Sequence, residues 1–90
     1  MTPLASELDR YLATRRGLGF ALDTAERVLR RFVAFVDGQK AEHVTTRLFL
    51  QWKGEFGRAG NPTWAARLRV VRLFAQWLHG LDARHEVPPP

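Results

Sequence analysis

Ninety residues allow one small domain with a modest core and exclude a typical two-domain enzyme. A hydrophobic fraction of 46% with three tryptophans and six phenylalanines excludes a disordered chain, and the lack of cysteine excludes a disulfide framework and thiolate chemistry. Fourteen Lys plus Arg against nine Asp plus Glu give a formal charge of +5 and a pI near 11.1, the footprint of a nucleic-acid binder that ribosome-associated and membrane-surface proteins share.

Helical signals run along the whole chain and almost nothing alternates like a strand. Thr2 and Pro3 read as N-cap and first position of a first helix. Leu4, Leu8, Tyr11 and Leu12 follow at helical spacing, and the helix ends near Arg15 or Arg16, before "GLG". A second helix starts at Asp23, with Glu26 three residues on in a capping-box arrangement. Projected at 100° per residue, Val28, Leu29, Phe32, Phe35 and Val36 share one arc, and Arg27, Arg30 and Arg31 share the other.

Thr45 is the expected cap of a third, shorter helix with Leu48, Trp52 and Phe56 spaced by four, closed by glycines 54, 57 and 60. Asn61 and Pro62 open a fourth helix that runs to about His79, with Gly80 as its stop. Val70, Val71, Phe74, Trp77 and Leu78 form its apolar face, opposite Arg69, Arg72, Gln76 and Ala65. Arg67 projects among the apolar residues, which leaves two readings for it, a pair at the domain edge or a reach past the helix end. Helices of about 13, 15, 11 and 19 residues predict a small all-α bundle over residues 1–82. The tail "DARHEVPPP", with residues 83–90 as its Pro-rich part, reads as a linker or frayed end.

Twelve of the fourteen basic residues are arginine, which suits bidentate phosphate and guanine contacts, although an arginine-favouring genome has the same effect on composition. If the arginine faces of helices two and four lie side by side, the domain offers a continuous basic surface to a DNA major groove. Two other readings use the same helices. One is a protein-interaction module that docks an acidic partner. The other, a helix-turn-helix repressor, is weakened by a gap of roughly six residues between helices three and four.

Other chemistry finds little purchase. His43, His79 and His85 lack the i, i+4 spacing of a helical zinc pair, so no metal and no cofactor are expected. "GEFGRAG" lacks the Gly-Lys-Ser/Thr of a phosphate loop, and Trp52, Trp64 and Trp77 read as core rather than as base-stacking platforms. No apolar run approaches a membrane span and the N-terminus lacks a secretory signal, so a soluble cytoplasmic protein is expected, with no small-molecule substrate.

Three stretches carry a family resemblance: "YLATRRGLGFALDTAERVLRRFVAFV", "TTRLFLQW" and "ARLRVVRLFAQWL". Together they resemble the N-terminal core-binding domain of tyrosine recombinases, the phage-integrase and Xer-type enzymes, a four-helix module called SAM-like. The match is to a first helix, a turn with Gly-Leu, a Thr-capped second helix, a short third helix and a fourth helix with Arg67-Leu68, Val71-Arg72, Phe74 and Leu78. "EVPPP" is similar to the family's linker to a catalytic domain.

The resemblance implies a non-catalytic clamp that grips one face of a DNA duplex through helices two and four while a separate domain exchanges strands. It also implies contacts with other recombinase protomers in a synaptic complex. Thr24, Arg67 and Arg72 match family positions; Arg27, Arg30, Arg31, Arg69 and Gln76 come from the helical projection alone. The turn "GFALDT" is longer than usual and Val28 stands where an aromatic is common. The family's chemistry needs a tyrosine nucleophile supported by arginines and histidine. Here the single tyrosine, Tyr11, lies in an amphipathic helix and no His-x-x-Arg occurs, so no catalysis is expected of this chain.

Overall fold

The computed structural model describes residues 4–19, 22–55 and 61–88, with side chains described at all of these except 55 and 61–64. Its elements are four helices, α1 (Leu4–Gly17), α2 (Asp23–Gly38), α3 (Thr46–Glu55) and α4 (Asn61–Leu81). The expected all-α bundle of four helices is the observed architecture, and each helix is within two residues of its expected length. Among the described residues α2 is central: it packs against α1, α3 and α4, and α1 also meets α4.

In α1, Leu4, Leu8, Tyr11 and Leu12 are the buried stripe, as their spacing requires. The expected cap at Thr2 and Pro3 lies outside the described residues. The helix closes through N–H groups of Leu18 and Gly19, which donate to the carbonyls of Arg15 (3.1 Å) and Arg16 (3.0 Å). Gly19 turns the chain at φ 92°, a left-handed conformation that favours glycine.

The start of α2 differs from expectation. No capping box forms: Leu22 is the N-cap, no side chain bonds a free N–H there, and Thr24 lies inside the first turn rather than capping it. The Glu26 carboxylate instead accepts from the guanidinium groups of Arg16 and Arg30. A charge-assisted bond to a guanidinium is stronger than one to a backbone amide, so the arginines win this carboxylate.

The buried stripe of α2 is also rotated from the projected arc. Leu29, Phe32, Val33 and Val36 are buried, while Val28 and Phe35 are half-buried. A helix that contacts three others buries a wider arc than a single-faced projection assigns, which brings Val33 inside. In α4, which meets both α1 and α2, Ala75 joins Val71, Phe74 and Leu78 inside, while Val70 and Trp77 are half-buried. Tyr11 packs between Phe74 (ring centroids 5.2 Å) and Trp77 (5.4 Å), and Trp52 meets Phe32 edge-on at 5.3 Å.

Thr45 caps α3 as expected, its Oγ1 accepting from the Leu48 N–H at 3.1 Å. Phe49, which the spacing-by-four pattern passes over, is buried beside Trp52; Phe56 lies outside the described residues.

The expectation of a frayed C-terminal end is corrected. Residues 82–88 fold back on the segment before α3, with the Glu86 N–H donating to the Val44 carbonyl (2.8 Å) and the Val44 N–H to His85 Nδ1 (3.1 Å). Thr46 N–H donates to Glu86 Oε1 at 2.9 Å, and His85 and Pro88 are buried. The loop's backbone donors need acceptors once covered, and the tail supplies them.

Candidate nucleic-acid interface

On α2, Thr24, Arg27, Val28 and Arg31 stand at i, i+3, i+4 and i+7, so a single helix face carries all four. Ala66, Arg67 and Val70 face them from α4, and Trp52 of α3 lies between. These eight residues line one cleft of about 350 Å³. Four of the residues singled out from sequence, Thr24, Arg27, Arg31 and Arg67, are thereby brought together. Arg67 is half-buried in the cleft wall, which accounts for its place among apolar residues in the projection.

The other four are placed apart from that lining. Arg69 and Gln76 are exposed on α4. Arg72 is half-buried and its Nε donates to the Pro88 carbonyl at 2.8 Å, holding the tail. Arg30 reaches across to α1, where it pairs with Asp9 at 2.7 Å, and also pairs with Glu26 at 3.2 Å. The Asp9 carboxylate first, and Glu26 after it, raise the Arg30 pKa, while Arg16 and then Arg30 lower that of Glu26.

Charge pairing is uneven among the arginines. Arg10, Arg16, Arg30 and Arg84 are paired with carboxylates of Glu7, Glu26, Asp9 and Asp82. Among the described residues Arg27, Arg31, Arg47, Arg69 and Arg72 make no ion pair, and of these Arg27 and Arg31 line the cleft. Two unneutralised guanidinium groups at one cleft suit an external anion.

A second cavity of about 320 Å³ lies at the tail, where His43, Asp82 and His85 approach one another with ligand atoms within 4.8 Å. Sequence spacing could not show this, because His43 is some forty residues from the others. Burial, and then the nearby His43, lower the His85 pKa. Because Nδ1 of His85 accepts the Val44 amide, the neutral ring carries its proton on Nε2 and has no free lone pair there for a metal. Both Asp82 oxygens accept from Arg84, which holds that carboxyl well below the usual range.

Compared with known proteins, the chain is 39% identical over 89 residues to the putative integrase/recombinase y4rB of Sinorhizobium fredii, covering 99% of this chain. It is 31% identical over 100 residues to the putative integrase/recombinase y4rE of the same organism, covering 97% of this chain. This chain is thus a relative of two proteins named putative integrase/recombinase. It spans 28% and 32% of the lengths of those two relatives. No family model and no solved structure matches. Tyr11 is 5% exposed and packs among Phe74, Trp77 and the Arg15 guanidinium. No helix among the described residues is long and apolar enough to cross a membrane.

Proposed function

We propose that this chain is the core-binding module of a tyrosine-recombinase-type protein and binds double-stranded DNA across the α2–α4 cleft, in the cytoplasm, without catalysing strand exchange itself. The observation that carries the reading is the cleft's own lining: Arg27 and Arg31 meet no carboxylate among the described residues, whereas Arg10, Arg16, Arg30 and Arg84 are matched by carboxylates. Arg27, Arg31, Arg67 and Arg69 make up the gripping set, and Thr24 and Gln76 add hydroxyl and amide donors beside them. Arg30 stands outside it, since Asp9 and Glu26 already neutralise its charge. Arg72 holds the tail, and the tail then serves as the linker toward a separate catalytic domain. Leu18, Leu50 and Leu81, none of which lines the cleft, are more than half exposed and offer apolar contact to other recombinase protomers.

Fluorescence anisotropy with a labelled 20-base-pair duplex tests the reading. Four phosphate contacts predict a slope of log K against log salt of about −3.6. The double variant Arg27→Ala/Arg31→Ala should weaken binding and flatten the slope by about 2, with an unchanged melting temperature. A salt-independent or absent interaction with duplex would sink the proposal.

A further inference from the structure

The cleft carries more than charge. Resting on the reading that a duplex lies across α2 and α4, we propose that the cleft recognises thymine through its 5-methyl group, with Val28 and Val70 as the residues that set this preference.

Gripping phosphates needs only the arginines of the rim. Reading guanine also needs only guanidinium, because the guanine edge in the major groove is all acceptor. Neither contact uses an apolar wall. Yet the cleft that Arg27, Arg31 and Arg67 line is also lined by Val28 of α2, Ala66 and Val70 of α4 and Trp52 of α3. Val28 and Val70 are half-buried rather than sealed in the core, and both line the cleft, so apolar surface there is open to an entering group. The only apolar group that a duplex displays in its major groove is the thymine methyl, and covering it with a valine removes apolar surface from water on both partners.

The layout fits that arrangement. Arg27 and Arg31 are one turn apart, about 6 Å along the α2 axis, and Val28 lies on the same face between them. Ala66 and Val70 are likewise one turn apart on α4. Guanidinium groups on phosphates at the rim would thus bring base edges toward the valines. A volume of about 350 Å³ accommodates a row of methyl groups rather than a single one.

The test varies the DNA first, so that folding of a variant is not at issue. Binding is measured for a 20-base-pair duplex of alternating A·T steps with G·C ends, and for the same duplex with deoxyuridine in place of thymidine. A G·C duplex is compared with its 5-methylcytosine counterpart, which restores a methyl at the same major-groove position. The expected result is a Kd about threefold to fourfold weaker for each methyl lost from the contact, with a gain for 5-methylcytosine over cytosine. Val28→Ser/Val70→Ser, which removes the methyl groups of both valines, should bring the thymine-to-uracil ratio toward one while circular dichroism stays native. Equal binding of the thymine and uracil duplexes, with salt-sensitive affinity intact, would overturn the thymine inference and leave the DNA-gripping reading standing. No salt-sensitive binding to any of the four duplexes would overturn both.

Discussion

Arg30 and Arg31 are consecutive residues with different surroundings, because 100° of helical rotation separates their side chains. Arg30 turns toward α1 and bridges Asp9 and Glu26, while Arg31 turns toward α4 and lines the cleft. Replacing each by alanine should therefore have different effects. Arg30→Ala should lower stability by about 0.5 kcal/mol, the usual worth of exposed ion pairs, and leave duplex affinity nearly unchanged. Arg31→Ala should leave stability unchanged and weaken duplex binding. Urea melts and anisotropy titrations on the two proteins check this, and an equal loss of affinity in both would remove the distinction. The sequence places both arginines on the polar side of α2, correctly; only the positions of Asp9 and Glu26 in space divide them.

At the scale of elements, the end of α2 shows how a local motif and a side chain can disagree. The Lys40 N–H donates to the Asp37 carbonyl at 2.9 Å and the Ala41 N–H to that of Val36 at 3.3 Å, the bond pattern of a Schellman closure. That closure needs a left-handed residue, and Lys40 occupies the position at φ 56° where glycine is the usual choice. Lys40→Gly should raise stability by about 1 kcal/mol, seen as a higher melting temperature, because it relieves the Cβ–carbonyl crowding. A lower melting temperature would mean that the Lys40 side chain contributes more than its backbone costs. Caps differ in how far they can be read from sequence. The Thr45 cap was legible because its hydroxyl has no stronger competitor, whereas the Asp23–Glu26 box was not, because Glu26 is claimed by guanidinium groups from both α1 and α2.

Across the whole molecule, the tail ties the end of the chain to the loop before α3, and that tie is sensitive to protons. His85 accepts the Val44 amide only while neutral, in surroundings that include His43, Asp82, Glu7, Arg84, Glu42, Arg10 and Glu86. Its pKa is lowered in the folded protein, so the unfolded chain takes up the proton first as pH falls. The stabilisation is fully present above the ordinary histidine value of 6.5 and is lost as pH drops from there through the lowered folded value. Melting temperatures between pH 7.5 and 5 should fall for the native chain. They should fall less for His85→Asn, whose amide oxygen can accept the Val44 N–H without titrating. Identical pH profiles for the two proteins would exclude His85 as the source.

The sequence by itself determined the four helices, the buried stripe of α1 and the excess of arginine on α2 and α4, because helix periodicity and capping by Thr45 act over a few residues. Tertiary structure decided which arginines are neutralised, since Asp9 and Glu26 meet Arg30 only when α1 packs on α2. It also decided that Thr24, Arg27, Arg31 and Arg67 share one cleft, and that the Pro-rich tail docks through His85, Glu86 and Pro88. Those outcomes depend on distances between residues in some cases more than forty positions apart, which pairing, burial and backbone satisfaction fix only when the helices close on one another.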